Sequence, residues 1–358
     1  MSHNEKTRDL LTAHYKKYPN LQIRDLFKYI YQSSFGCEHM VSSLVSATGH
    51  IEKERENISS TEILIEPLDG EYSRVHLTSK NSGLSSKTLG HLFFKSAKKE
   101  THGITALKNK LSVARELICT NKLPFSLNEF DIAVQEWENS NFNSVHHSET
   151  FRDKYSPSYR VIANEYVTFL SFFAQLDNMN YNKMNIVAIE GGSASGKTTL
   201  SKILEEIYDC TIIHMDDFFL RPEQRTKERY AEIGGNIDKE RFLTEVLIPL
   251  SNNETLNYRK FDCSTFTLTA PVKVVPKNLV IIEGAYSMHP WFTKYYDFSV
   301  FLDISSSFQR ERIRNRNSNE MAERFYNEWI PLEQRYFSET KIRKRCNMTI
   351  SIHKQKRV

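Results

Sequence analysis

Ile186-Val187-Ala188-Ile189-Glu190-Gly191-Gly192-Ser193-Ala194-Ser195-Gly196-Lys197-Thr198-Thr199 is the stretch whose reading decides the fold. A short apolar run ends in a glycine-rich turn, and a lysine with two threonines opens a helix after it. From Gly191 the stretch satisfies GxxxxGK[ST] in full. Small residues let such a loop wrap a phosphate with its own N–H groups. The helix beginning at Lys197 turns its positive end toward the same anion. Gly191, Gly192, Ser193, Ala194, Ser195, Gly196, Lys197, Thr198 and Thr199 are therefore the expected nucleotide-binding residues. Lys197 supplies charge to the beta and gamma phosphates, and Thr198 supplies a hydroxyl ligand for Mg2+.

The chain around this stretch alternates strand and helix. Ile186–Ile189, Thr211–Ile213, Leu279–Ile282, Phe298–Leu302 and Met348–Ile352 read as short strands, with a helix expected across Lys239–Leu247. Unbroken apolar strands between helices predict an α/β fold, a parallel sheet with helices on both faces. With the phosphate loop, that is the arrangement of a P-loop NTPase. Carboxylates stand where open parallel sheets place ligands, at the strand ends. Asp216-Asp217 follows the second strand and Glu283 ends the central one. A carboxylate there can take a proton from a substrate hydroxyl while a phosphoryl group transfers in line. Asp216 is the expected base, and Asp217 and Glu283 join Thr198 as metal candidates. A solvated strand end is the plainer reading of each.

Arg310, Arg312, Arg314 and Arg316 alternate after Asp303. Residues two apart on a helix do not share a face, so two of the four can meet one ligand, and Arg312 with Arg316 is a compatible pair. The competing reading is a solvated face paired with Glu311 and Glu320. Met321–Pro331 is expected to be a helix stopped at Pro331.

Taken together, GGSASGKTT, Met215-Asp216-Asp217-Phe218-Phe219, Asn236-Ile237-Asp238, Tyr258-Arg259-Lys260-Phe261-Asp262, Ile281-Ile282-Glu283-Gly284-Ala285-Tyr286-Ser287 and the arginine stretch ending at Arg316 resemble the uridine kinase and phosphoribulokinase family of P-loop kinases. The resemblance covers about residues 185–352. It implies ATP as the nucleotide, with Mg2+, and transfer to a hydroxyl of a uridine-like nucleoside or related sugar-containing molecule. By it, Asp216 accepts the acceptor's proton, Asp238 binds ribose hydroxyls, and Tyr258 and Arg221 lie on the acceptor side. It also implies that Glu283 coordinates magnesium through water, and that Arg312 and Arg316 sit in a lid reaching the ATP phosphates. Asn257 before Tyr258 and Arg259 after it depart from the family's Pro-Tyr-Asp segment, which makes Arg259 a further specificity candidate. The rival function is an ATP-binding regulatory module that controls an activity in the N-terminal domain.

The first half reads differently. Two domains are expected, 1–180 and 181–358, joined at about 177–184, the first mainly α-helical. Apolar residues recur at Leu21, Ile23, Leu26, Phe27 and Ile30, then at Met40, Val41, Leu44 and Val45. A hairpin or loop is expected over 61–77, around Pro67 and Asp69-Gly70, and helices over 87–118, 127–138 and Ser158–Leu176. No catalytic motif appears here. Phe35–His39, Asp69–His76 and Val145–His147 carry His, Glu and Arg whose plain reading is surface or ordinary polar packing; they would make a second polar pocket, or less readily a metal site, if the fold joined them. Cys37 beside Glu38 and His39 is a weak candidate thiol nucleophile.

Composition limits the rest. With 39% hydrophobic residues in 358, the chain can bury a sizeable core. A net charge of +4 is too weak a bias to imply a nucleic-acid partner. Five scattered cysteines without a CxxC pair suggest neither a disulfide framework nor a zinc knuckle. No membrane span or signal-peptide core is evident, so a cytoplasmic protein acting on a small molecule is expected, with homo-oligomer formation left open.

Overall fold

The computed structural model describes residues 3–37, 41, 43–80, 83–99 and 103–353. The chain forms two compact units, Met1–Asn178 and Met179–Lys354.

In the first unit, strands β1 (Ile65–Pro67), β2 (Tyr72–His76) and β3 (Tyr159–Ala163) form an antiparallel sheet with β2 in the middle. Asp69-Gly70 closes the β1–β2 hairpin, and Gly70 takes a φ of 120°, a conformation that suits a residue without Cβ. Helices supply most of the remainder, among them His3–Lys17, Ile23–Phe35, Leu44–Arg55, Gly103–Cys119 and Leu127–Asn139. Ser43, Ser85, Ser126 and Ser148 each cap a helix by accepting from the third backbone N–H beyond them.

Two helical expectations need correction. Ser158–Leu176 is not one helix: its start is strand β3, followed by short helices Asn164–Val167 and Leu170–Asp177. Tyr159, Val161 and Ile162 favour the strand, and pairing along the whole of β2 decides the matter. The stretch 87–118 is likewise two helices, Ser86–Ala97 and Gly103–Cys119. Met40 lies outside the described residues.

The second unit is built on β4 (Asn185–Gly191), β5 (Thr211–His214), the hairpin β6 (Leu256–Asp262) and β7 (Thr267–Val274), then β8 (Leu279–Glu283), β9 (Phe298–Ile304) and β10 (Met348–Ile352). Five of these strands form a parallel sheet in the order β10-β9-β4-β8-β5. Strands β4 and β8 are buried along their whole length, which explains their unbroken apolar runs: both faces are covered. Burying each Val or Ile there stabilises the sheet by about 1.5–3 kcal/mol. Register sets the functional edge, because Ile189 lies opposite Glu283 and Glu283 opposite His214. The ends of three strands thus meet in one line beside the phosphate loop.

Pro331 does not stop its helix, contrary to expectation. The chain continues from Asn319–Arg324 through a π-helical turn, Phe325–Trp329, into helix Ile330–Thr340. Ile330 N–H reaches back to the carbonyl of Phe325, and this wider turn accommodates a ring that would collide inside an α-helix. The same device recurs at Pro249, behind the π turn Leu243–Leu247, so the helix begun at Lys239 runs on to Ser251.

Candidate functional site

The loop after β4 is shaped by backbone conformations that its small residues permit. Gly191, Ala194 and Gly196 have φ of 153°, 60° and 104°. A Cβ on Gly191 would stand 2.7 Å from the Leu302 carbonyl oxygen, so that position needs glycine. The Lys197 ammonium bends back over the loop and donates to the carbonyls of Gly191 (2.8 Å) and Gly192 (3.0 Å). Ser195 Oγ is buried without a partner among the described residues. Thr198 and Thr199 are exposed at the start of helix Lys197–Ile207.

Distant side chains brace this loop from outside. Arg312 Nη1 donates to the carbonyls of Ala194 (3.0 Å) and Ser195 (3.3 Å), and Gln309 Nε2 to that of Ser193 (2.9 Å). Glu333 accepts from Ser193 N–H (2.9 and 3.1 Å) and from Ser193 Oγ (2.5 Å), and burial raises its pKa. Arg316, in contrast, is exposed and lies 5.9 Å from the Phe325 ring. Behind the loop, burial pushes Glu190 up to about 7; it accepts from the N–H groups of Gly191 (2.8 Å), Tyr286 (3.2 Å) and Met288 (3.0 Å) and from the Tyr336 hydroxyl (3.1 Å).

At the sheet edge, Thr198 Oγ1 donates to Glu283 Oε1 at 3.1 Å. His214 Nδ1 is 2.7 Å from the same oxygen, and that hydrogen bond raises the imidazole pKa. Asp216, in the turn after β5, is reachable by water yet hemmed in by protein. That desolvation raises its pKa, and the nearby Lys197 charge opposes it. Asp217 faces the hairpin, with Lys260 Nζ 3.0 Å from its Oδ2. Glu283 and Thr198 therefore meet, whereas Asp217 is drawn to a counter-ion.

The acceptor-side candidates occupy one neighbourhood but differ in what they touch. Asp238 is buried, accepts from Gln224 Nε2 (3.0 Å) and Arg241 N–H (3.2 Å), and is tied to the Asp216 turn by its own N–H to the Phe218 carbonyl (2.7 Å). Tyr258 is buried and stacks on Phe218 at 5.4 Å, and burial pushes its phenol to about 12. Arg259 is exposed and spans the hairpin to the carbonyls of Thr269 (2.7 Å) and Leu268 (3.2 Å). Arg221 Nε donates to Gln224 Oε1 at 3.3 Å, and its Nη1 pairs with Glu223 at 3.1 Å.

Sequence reasoning overlooks His214, Lys260, Gln309 and Glu333. His214 stands two residues before Asp216, and Lys260 lies within the segment Tyr258–Asp262. Nothing local marks the other two. The N-terminal candidates fare unevenly. Burial drives the Cys37 thiol to about 12, with Sγ 3.4 Å from the Val161 carbonyl oxygen, which does not suit a nucleophile. Glu38 and His39 lie outside the described residues. Among the described residues no group of three or more His, Cys, Asp or Glu side chains is arranged to hold a metal, and no helix is long and apolar enough to cross a membrane.

A parallel sheet with a phosphate loop at its central strand and carboxylates along the same edge defines a P-loop nucleotide-binding domain of kinase type. The backbone cradle, the unpartnered Ser195 hydroxyl and the Thr198–Glu283 pair fit a nucleotide with Mg2+. Residues 186–327 match the model described as "Phosphoribulokinase / Uridine kinase family", so the family resemblance holds for this part of the chain. The chain is 28% identical to a uridine kinase of Ligilactobacillus salivarius, over 40% of this chain and 70% of that protein. It is 26% identical to a phosphoribulokinase of Synechocystis, over 40% of this chain and 44% of that one. A solved structure titled "Structure of a Possible Uridine Kinase from Bacillus stearothermophilus" is 18% identical, with a TM-score of 0.42, over 52% of this chain and 99% of that one.

Proposed function

We propose that the second unit is an ATP-dependent small-molecule kinase that transfers a phosphoryl group to a hydroxyl of a uridine-like nucleoside or a related sugar-containing compound. The observation that carries this reading is the meeting of Lys197, Thr198, Asp216 and Glu283 at one sheet edge, since a nucleotide switch has no use for a hydroxyl base beside its phosphate loop. Residues 191–199 hold the phosphates, and Thr198 with Glu283 would hold Mg2+. When bound, Mg2+ offsets phosphate charge. Asp216 takes the proton from the acceptor hydroxyl, and its raised pKa strengthens it as a base near neutral pH. Lys197 meets the charge on the moving group, and Arg312 joins it by releasing the Ala194 and Ser195 carbonyls that it otherwise holds. Arg316, Asp217 and the acceptor-side residues Asp238, Tyr258, Arg259 and Arg221 complete the proposed set, with Lys260 holding Asp217 in place.

The test is Mg2+-dependent ATP turnover against nucleosides, sugars and sugar phosphates, beside Asp216→Asn. Stimulation by one acceptor, with a phosphorylated product that disappears in the variant, supports the kinase and names its substrate. Acceptor-independent hydrolysis that ignores the substitution favours an ATP-controlled module instead.

A further inference from the structure

The first unit buries charge where a stable core has no need of it. Arg74, in the middle of β2, is fully enclosed. Its guanidinium lies against two rings, Tyr159 at 4.6 Å and Tyr29 at 5.3 Å. Nε donates to Gln32 Oε1 at 2.9 Å and Nη1 to Glu66 Oε1 at 3.0 Å. Nη2, also buried, meets no acceptor among the described residues.

Glu66 cannot supply one, because its oxygens are committed. Oε1 also faces His14 Nδ1 at 3.1 Å, and Oε2 accepts from Lys17 (2.9 Å) and Tyr18 (2.8 Å), with His76 Nε2 at 3.6 Å. These contacts hold Glu66 ionised, far below the usual carboxylate range. The bond to Glu66 leaves His14 Nε2 as a second buried atom without a partner. Beyond Arg74, Gln32 Oε1 lies 3.3 Å from Tyr159 OH. That hydroxyl is 2.7 Å from His147 Nε2, and His147 Nδ1 is 2.9 Å from Asp25. Two of the candidate polar segments, Asp69–His76 and Val145–His147, thus join one network.

A core kept for stability alone is better filled with apolar side chains, and an unmet buried donor makes matters worse. What the network does achieve is to fix a cation in plane, between rings and acceptors, with one N–H edge unspent. An arginine held this way offers an oxyanion charge-assisted N–H donors from one fixed nitrogen. We propose that the first unit is a binding module anchored on Arg74, and that its ligand is a small oxyanion, a phosphate or a carboxylate, seated on the Nη2 edge. His14 Nε2 accepts from a hydroxyl of the same ligand, so a hydroxyacid or a phosphate that keeps a proton fits best. Lys17 and His76, the partly exposed members on the outer oxygen of Glu66, mark the side from which solvent reaches the cluster.

The experiment follows the side-chain N–H signals of 15N-arginine-labelled full-length protein during titration with inorganic phosphate, and separately with malate, at ionic strength held constant with chloride. The Arg74 signal is assigned by its loss in Arg74→Lys or, if that variant misfolds, by its contacts to the Tyr29 and Tyr159 rings. Reading Arg74 itself separates this site from anion binding at the phosphate loop. A saturable shift with phosphate or with malate, weakened at least tenfold in His14→Phe, supports the proposal, and the anion that acts tells the two sources apart. A shift with neither, or one that rises linearly and is matched by chloride, overturns it.

Discussion

The two units solve opposite problems with the same twenty side chains. The second builds its sheet on apolar strand centres, buries Glu190 near the end of β4, and collects its other site carboxylates at one edge, where β4, β5 and β8 end. The first threads Arg74, Glu66, Asp25 and several polar partners through its interior. An edge site can change its ligands without disturbing the core, whereas a charged core ties stability to every member. The first unit is therefore expected to be brittle and the second robust to substitution at its edge positions.

The largest effect expected is functional and confined to the second unit. Asp216→Asn should lower kcat by about 10²–10⁴, the range for losing a general base, with its urea midpoint unmoved or raised, since burial already disfavours the ionised carboxylate. A loss of folding instead would make the edge as brittle as the charged core. Next, Arg74→Leu should destabilise the first unit by about 3–5 kcal/mol, because it removes the buried cation paired with Glu66 and leaves, among the described residues, only the half-exposed Lys17 ammonium to balance it. Urea midpoints read for each unit by hydrogen-exchange mass spectrometry measure this, and a shift in the second unit alone would reverse the comparison.

Acid should then pull the units apart. Burial holds His14 and His147 at about 4, so below pH 6.5 the unfolded chain takes up protons that the folded first unit refuses, and stability falls down to about pH 4. In the second unit, burial raises Glu190 to about 7 and also raises Asp216 and Glu333. A raised carboxylate costs stability when ionised, so that cost lifts as pH falls through 7 toward 4.5. His289, held at about 4 by burial, works against this trend. Urea midpoints at pH 7, 5.5 and 4.5 should fall for the first unit and hold or rise for the second. Parallel movement would mean that these groups do not govern either unit. The smallest effect is that of Glu333→Gln, which keeps an oxygen for Ser193 N–H but removes a charge competing with phosphate. The ATP KM should drop by roughly three- to tenfold, as a partly buried charge contact predicts, with kcat little changed. A higher KM would instead mean that the carboxylate helps to shape the loop.

Legibility in the sequence depends on distance along the chain. The phosphate loop, Asp216 and Glu283 are legible because phosphate chemistry dictates spacing within a few residues and apolar strands announce their ends. The α/β sheet emerges from the same runs. Glu333 is not legible: it reaches Ser193 across 140 positions. Strand β3 reads as helix because Phe169, Leu170, Phe172 and Phe173 lend a helical rhythm to a segment whose first third pairs with β2. Arg74 and His147 stand out as polar candidates but cannot be joined from sequence, since the partners that connect them, Gln32 and Tyr159, carry no signal of their own.

The π turn before Pro331 works like a letter inserted into a line of text. One added residue advances everything after it by about 100° around the helix axis. Glu333 and Tyr336 both lie downstream, and both reach the phosphate-loop region from there. Their aim is thus set by the punctuation at Phe325–Trp329 as much as by their own identities. Deleting one residue in that turn would leave their composition intact and swing both away from the loop.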